Sequence, residues 1–185
     1  INQFGALAMA GCGSYSKIEG FGFIPVTCFS QALTTFIGQN LGAKEYDRTK
    51  KGALFGTICG IGIAEVIGIA VFFFSPYLIA AFGGDQKAIE YGIAEAHTIA
   101  LFYCLLAFSH CMAAIQRGAG RSIVPMFVMM LVWCGVRVTY ISIVIRIIPV
   151  INVIYWAYPL TWFISSVIFL ILFLKTDWIH GLEKQ

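Results

Sequence analysis

A chain of 185 residues that is 59% hydrophobic and only 11% charged lies far below the roughly 25% charge of soluble domains, and a water-soluble globule of this size cannot hide so much apolar surface. The formal net charge of +3 is small and is spread over short Lys and Arg clusters with no interleaved aromatics, which argues against a nucleic-acid partner. The six cysteines, Cys12, Cys28, Cys59, Cys104, Cys111 and Cys134, form no CxxC pair and lie in or beside apolar runs, so neither disulfides nor a metal site are expected.

The chain opens on Ile1-Asn2-Gln3, with no initiator Met and no signal-peptide pattern, and reads as a piece of a longer protein. Residues 4–13, rich in small side chains, read as a loop leading into the first span, with a further helix expected upstream. A membrane-spanning helix needs roughly 20 largely apolar residues. Residues 20–43 and 147–174 meet that length without a charge; residues 52–81 are interrupted only by Glu65, 122–145 only by Arg137, and 91–116 by Glu95, His97 and His110. Backbone groups inside lipid must be satisfied within the segment, and no run alternates with a period of two. The expected fold is therefore an all-α polytopic membrane bundle of five helices.

Breaker residues agree with these limits. Gly83-Gly84-Asp85 follows the second span, Gly118-Ala119-Gly120 the third, and Pro149 with Asn152 marks the turn before the fifth. Pro25 and Pro159 fall inside spans and are expected to kink them. Gly52, Gly56, Gly60, Ala64 and Gly68 form a four-residue ladder in the second span, a pattern that lets another helix approach closely. Trp156, Tyr158 and Trp178 flank the last span, where interfacial aromatics are common.

Positive residues are retained on the cytoplasmic side of short connections. Lys44, Arg48, Lys50 and Lys51 follow the first span, Arg117 and Arg121 the third, and Lys175 and Lys184 the fifth, against Lys17, Lys87 and Arg146 on the other side, a split of eight to three. The C-terminus is accordingly placed in the cytoplasm of a cell-membrane protein.

GxSxG, HExxH, GxxxxGK and GxGxxG motifs are all absent, and nothing supports an enzyme. The chemistry left is that of ionisable groups inside the hydrocarbon, where each costs roughly 2.5–3.5 kcal/mol and usually faces an interior or an aqueous cavity. Glu65 lies about 13 residues, roughly 20 Å, into its span, and Arg137 about 15 residues, roughly 22 Å, from the same side. The two are level to within a helical turn and are expected to pair, with Glu65 as an ion-responsive group. Glu95 and His97 enter the third span from its outer end and complete the candidate cavity set.

Lys17-Ile18-Glu19 through Pro25, the run Gly38-Gln39-Asn40-Leu41-Gly42-Ala43 with Arg48 following, Gln116-Arg117-Gly118-Ala119-Gly120, Pro125, and Trp156-Ala157-Tyr158-Pro159 together resemble the multidrug and toxic compound extrusion (MATE) transporters in order and spacing. The resemblance covers essentially the whole chain. It implies that residues 1–185 are the C-terminal bundle, helices eight to twelve of a twelve-helix antiporter whose N-terminal bundle would be a partner for this one. It also implies export of drug-like cationic or amphipathic compounds in exchange for Na⁺ or H⁺, with no cofactor, by alternating access around a midplane site. One departure is plain: family branches carry a coupling carboxylate on the tenth helix, whereas residues 103–113 hold none. A lipid-linked sugar flippase of the same superfamily and a non-transporting membrane scaffold are the alternatives, the first needing a more cationic cavity.

Overall fold

The computed structural model describes residues 1–179; Lys184, one of the charges counted for orientation, lies outside the described residues. Among the described residues, seven α-helices make up five spans: α1 (Ala6–Gly42), α2 (Tyr46–Ala80), α3 (Gln86–Ile99), α4 (Tyr103–Gly118), α5 (Ile123–Met129), α6 (Arg137–Ile147) and α7 (Asn152–Lys175). A 3₁₀ turn, Ala100–Phe102, joins α3 to α4, and a wide π-helical stretch, Met130–Val136, joins α5 to α6. Each composite or single helix is long and apolar enough to cross a membrane. The all-α, five-span architecture is as expected.

The start of the first span is not. Residues 4–13 are helical from Ala6 rather than a loop, so that α1 runs 37 residues, about 55 Å. Its small residues serve packing. A Cβ on Gly11 would collide with the Ala88 carbonyl, and one on Gly92 would lie 2.8 Å from the Gly11 carbonyl oxygen. In lipid, where apolar burial gives no advantage between helices, close backbone approach of this kind holds helices together. Lys17 consequently sits within α1 rather than in a connection, 5.3 Å from the Phe82 ring centroid at the far end of α2.

The glycine ladder of α2 is likewise a packing seam. Gly56 meets Leu33, Gly60 meets Phe29 and Cys111, and Gly68 abuts the Ala100 carbonyl, leaving no room for a side chain. These contacts press α2 against α1 on one side and the α3–α4 span on the other. That third span is the centre of the bundle, 61% buried over its most apolar stretch, whereas the fourth is 6% buried and peripheral.

The turns close on specific backbone geometry. After α1, Glu45 N–H donates to the Asn40 carbonyl (2.9 Å) and Lys44 N–H to that of Leu41 (3.0 Å), with Lys44 left-handed at φ 60°. After α4, Arg121 N–H reaches Gln116 (2.9 Å) and Gly120 N–H reaches Arg117 (3.0 Å), with Gly120 at φ 78°. The two ends share one cap, the Schellman pattern that satisfies otherwise orphaned carbonyls. They also touch: Gly118 packs on Ile37 and on the Thr34 carbonyl. On the opposite face Gly83 and Gly84 (φ 73° and 129°) make the turn, and the Asp85 carboxylate accepts from Lys87 N–H at 2.8 Å to cap α3.

Interruptions in the helices are repaired by side chains. Pro76 has no N–H to give the Phe72 carbonyl one turn earlier. His97 Nε2 lies 3.1 Å from that oxygen and therefore donates to it, the imidazole stacking on the Phe72 ring at 4.4 Å; the Ser75 hydroxyl donates as well, at 3.2 Å. At the 3₁₀ turn the first N–H groups of α4 lose their helical acceptors, and Glu65 Oε2 accepts from Cys104 N–H at 3.2 Å. A carboxylate at a helix N-terminus is also favoured by the helix dipole.

Two outcomes test this account. Gly68→Val is expected to destabilise the folded bundle by about 1–3 kcal/mol, read as a lowered thermal midpoint in detergent, while Gly62→Val, at a site open to its surroundings, leaves it unchanged. His97→Leu is expected to cost about 1 kcal/mol; in a Pro76→Ala background, which restores the missing N–H, the same substitution costs less, and the thermodynamic cycle measures the difference.

Candidate functional site

The polar groups of the bundle converge on one face of α1. Cys12, Tyr15, Ser16 and Glu19 stand at i, i+3, i+4 and i+7, so they form a single stripe along the helix. At its start Cys12 Sγ lies 3.6 Å from Tyr155 Oη, whose hydroxyl donates to the Tyr91 carbonyl at 3.2 Å. Next, Tyr15 and Tyr103 join hydroxyl to hydroxyl at 3.0 Å. At its end Glu19 is half-buried in the wall of a cavity of about 240 Å³.

That cavity is built by four of the five spans. Glu19 and Phe23 come from α1, Leu106 from α4, Trp133 and Arg137 from the π-helical stretch and the start of α6, and Tyr158 and Trp162 from α7. The Arg137 guanidinium lies over the Tyr158 ring at 4.2 Å and near that of Trp133 at 5.9 Å. Its Nη2 and Nε donate to Thr161 Oγ1 at 2.7 and 3.2 Å. Thr161 in turn donates to the carbonyls one turn back in α7, so the hydroxyl is fully used and fixes the guanidinium's position. Glu19 and Arg137 face the same space and lie within electrostatic reach of each other.

Glu95 lies deeper, 3% exposed, between α1 and α7 and beside Cys12. Its Oε2 has no hydrogen-bond partner. It lies within electrostatic reach of Glu19 as well, so two carboxylates, a buried one on α3 and one on the cavity wall, act on each other. An orphaned buried carboxyl oxygen is costly unless a proton or cation satisfies it. His110 Nε2 is the other such atom; its ring sits edge-on between Phe23 and Trp133, at 5.0 and 5.4 Å.

The four residues singled out from sequence therefore divide. Arg137 lines the cavity, whereas Glu95 lies outside its lining, beside Cys12 and within electrostatic reach of Glu19. Glu65 and His97 lie on or against the far side of the bundle, each bonded to backbone. The expected Glu65–Arg137 pair is not formed among the described residues. The reason lies in helix order: α4 stands between the helix that carries Glu65 and the helices that hold Arg137. Glu19 was passed over, because counting uncharged residues starts the first span at Gly20 and leaves Glu19 in a supposed loop.

The motif residues take mostly structural places. Gly38, Gln39, Asn40, Gly42 and Ala43 form the end of α1, where Asn40 Nδ2 donates to the Phe36 carbonyl at 2.7 Å and Arg48 lies 5.9 Å over the Phe36 ring. Arg117, Gly118 and Gly120 form the matching end of α4. Pro25 and Pro159 lie within continuous helices. Tyr158 belongs to the cavity.

Comparison with known proteins bears on this arrangement. The chain is 30% identical over 124 residues to the probable multidrug resistance protein NorM of Thermotoga maritima, covering 67% of this chain and 27% of that one. It is 24% identical over 142 residues to the probable multidrug resistance protein YoeA of Bacillus subtilis, covering 75% of this chain and 30% of the other. The chain thus spans about 27–30% of the length of these relatives. Among solved structures, the MATE transporter ClbM in complex with Rb⁺ superposes with a TM-score of 0.85 at 18% identity, over 95% of this chain and 42% of that one. A MATE in complex with MaD3S gives 0.84 at 17% identity, over 92% and 38%. These matches share the fold. The MatE family model matches residues 1–148, and the chain belongs to the MATE family of multidrug transporters.

Proposed function

We propose that this chain is the C-terminal bundle of a MATE-type antiporter that exports cationic or amphipathic drug-like compounds across the cell membrane in exchange for Na⁺ or H⁺, its C-terminus in the cytoplasm. The observation that carries this reading is the polar stripe of α1, which places the Glu19 carboxylate in the wall of a pocket lined by Trp133, Tyr158 and Trp162 and sets Cys12 beside Glu95, a buried carboxyl with one unpartnered oxygen. Aromatic faces and carboxylates suit an organic cation. A buried carboxyl that takes up a small cation or a proton suits ion coupling. The relatives named for multidrug resistance and the neighbour holding Rb⁺ support the same assignment.

Within it, Arg137 is a tethered counter-charge that keeps the pocket closed to cations until a carboxylate is engaged. Glu65 and His97 hold backbone and take no part in coupling. Only one Arg and one Glu line the pocket, which is a poor match for a polyanionic lipid-linked sugar and favours the drug-exporting reading over the flippase.

The full-length protein is expected to lower the cellular accumulation of a fluorescent cationic dye. Glu19→Gln and Glu95→Gln should each reduce that export at least tenfold at matched expression, whereas Glu65→Gln, whose amide oxygen still accepts from Cys104 N–H, keeps it within about twofold. Undiminished export in both the Glu19 and Glu95 variants would remove this pocket from the mechanism.

A further inference from the structure

A second concavity lies on the opposite side of α4 from the polar stripe. Leu106 lines the first cavity and Phe108 the second, and two residues apart on a helix they point about 200° from each other. The second groove, of about 470 Å³, runs between α2, α4 and α7 and is walled by Leu54, Phe108, Met112, Phe173 and Trp178, with Lys50 at its mouth. Besides Lys50, the polar groups of its lining are Thr57, whose hydroxyl is already bonded to the Ala53 carbonyl at 2.8 Å, and the Trp178 indole N–H. Apart from Lys50 and that indole, the lining side chains offer no free hydrogen-bond donor to a sugar, a nucleotide or a polar drug. The lips are apolar and open: Leu54 is 65% and Leu174 73% exposed.

The groove's floor is built by the chain after α7. Thr176 to Ile179 turns back beneath the bundle, the Trp178 ring stacks on Phe173 at 5.2 Å, and Arg121 Nη2 holds the turn by donating to the Asp177 carbonyl at 2.8 Å. That connection and Lys50 lie at one membrane face, along with Lys44, Arg48, Lys51 and Lys175. From this face, Met112 lies six residues and Phe108 ten residues up α4 from Gly118, so the groove reaches about 15 Å inward. This is the depth of one leaflet's hydrocarbon. A concavity one leaflet deep, apolar along its length and basic only at the headgroup level, has the shape and charge of a phospholipid.

We propose that this groove binds one anionic phospholipid of the Lys50 leaflet, an acyl chain lying against Leu54, Phe108 and Met112 and its phosphate on the Lys50 ammonium. Clusters of four or more basic residues beside a span attract anionic lipids; the groove converts that diffuse attraction into a site. The site is separate from the pocket proposed for transport and stands whether or not that pocket exports drugs.

Native mass spectrometry of the full-length protein, titrated with phosphatidylglycerol and separately with phosphatidylcholine, tests it. Phosphatidylglycerol is expected to be retained preferentially. Lys50→Gln should weaken it about fivefold while leaving phosphatidylcholine unchanged, Lys50→Arg should restore it, and Leu54→Trp, which narrows the groove without touching the charge, should weaken both lipids. Glycerol phosphate, a headgroup without chains, should not compete. Equal retention of the two lipids by the unaltered protein, or an unaltered preference in Lys50→Gln, overturns the proposal. In native membranes, benzoylphenylalanine placed at Leu174 should photo-crosslink to lipid; a crosslink to a second copy or to another segment of the polypeptide assigns the groove to that occupant and overturns it equally.

Discussion

Hydrocarbon offers the backbone no hydrogen bonds, so every N–H and C=O within a span must find a partner in the protein. Most of this bundle's irregular features follow from that constraint. Pro76 leaves the Phe72 carbonyl bare, and an imidazole from α3 reaches across to it. The 3₁₀ turn bares the start of α4, and a carboxylate from α2 reaches across in the other direction. Both repairs cross the same interface between α2 and the third span. Two of the ionisable residues singled out as cavity candidates, His97 and Glu65, are the means by which α2 and the third span tolerate their own interruptions.

Repairs of this reach require close helices, and the small residues supply the closeness. Gly68 meets the Ala100 carbonyl at the 3₁₀ turn itself, less than one helical turn from Glu65. The ladder that ends at Gly68 therefore sets the distance over which the carboxylate works. Gly11 and Gly92 do the same between α1 and α3, an approach that sets Cys12 of α1 beside the buried Glu95 of α3. Small side chains thus decide which charges end up bonded to backbone and which are left facing a cavity.

The same residues mark how far the sequence could be read. Five spans, their helical nature, the turns at Gly83-Gly84 and Gly118-Ala119-Gly120, and the ladder in α2 were legible, because hydropathy, breakers and four-residue spacing are properties of single segments. Residues 4–13 misled for a physical reason: in water repeated Gly among small residues suggests a loop, whereas in lipid small residues are what a tightly packed helix needs. Starting the first span after the last charge, at Gly20, hid Glu19 as well. The Glu65–Arg137 pairing failed differently, since depth along a helix follows from residue counting but the neighbour of a helix does not. Residues one turn apart on α1, three of them polar and one a Tyr with its hydroxyl engaged, carried a detectable i, i+3, i+4, i+7 signal for the site.

The peripheral span shows what the polar pocket does for the fold in return. Along α5, the π-helical stretch and α6, the buried residues are Pro125 and Val132, and α6 itself buries none. Packing within this chain therefore holds that span weakly. Its firm attachments are polar: Trp133 Nε1 donates to Ser165 Oγ at 3.1 Å, inside a hydroxyl cluster with Ser109 and Ser166, and Arg137 grips Thr161. Both tethers come from residues that also line the pocket. A π-helical stretch is a wider, less regular turn that is frequent at functional sites, and here it lies between a short helix and the guanidinium. Anything in the pocket that engages Arg137 or stacks on Trp133 acts directly on the bonds that position the span, so the contents of the pocket and the placement of the least buried helix are two readings of one set of interactions.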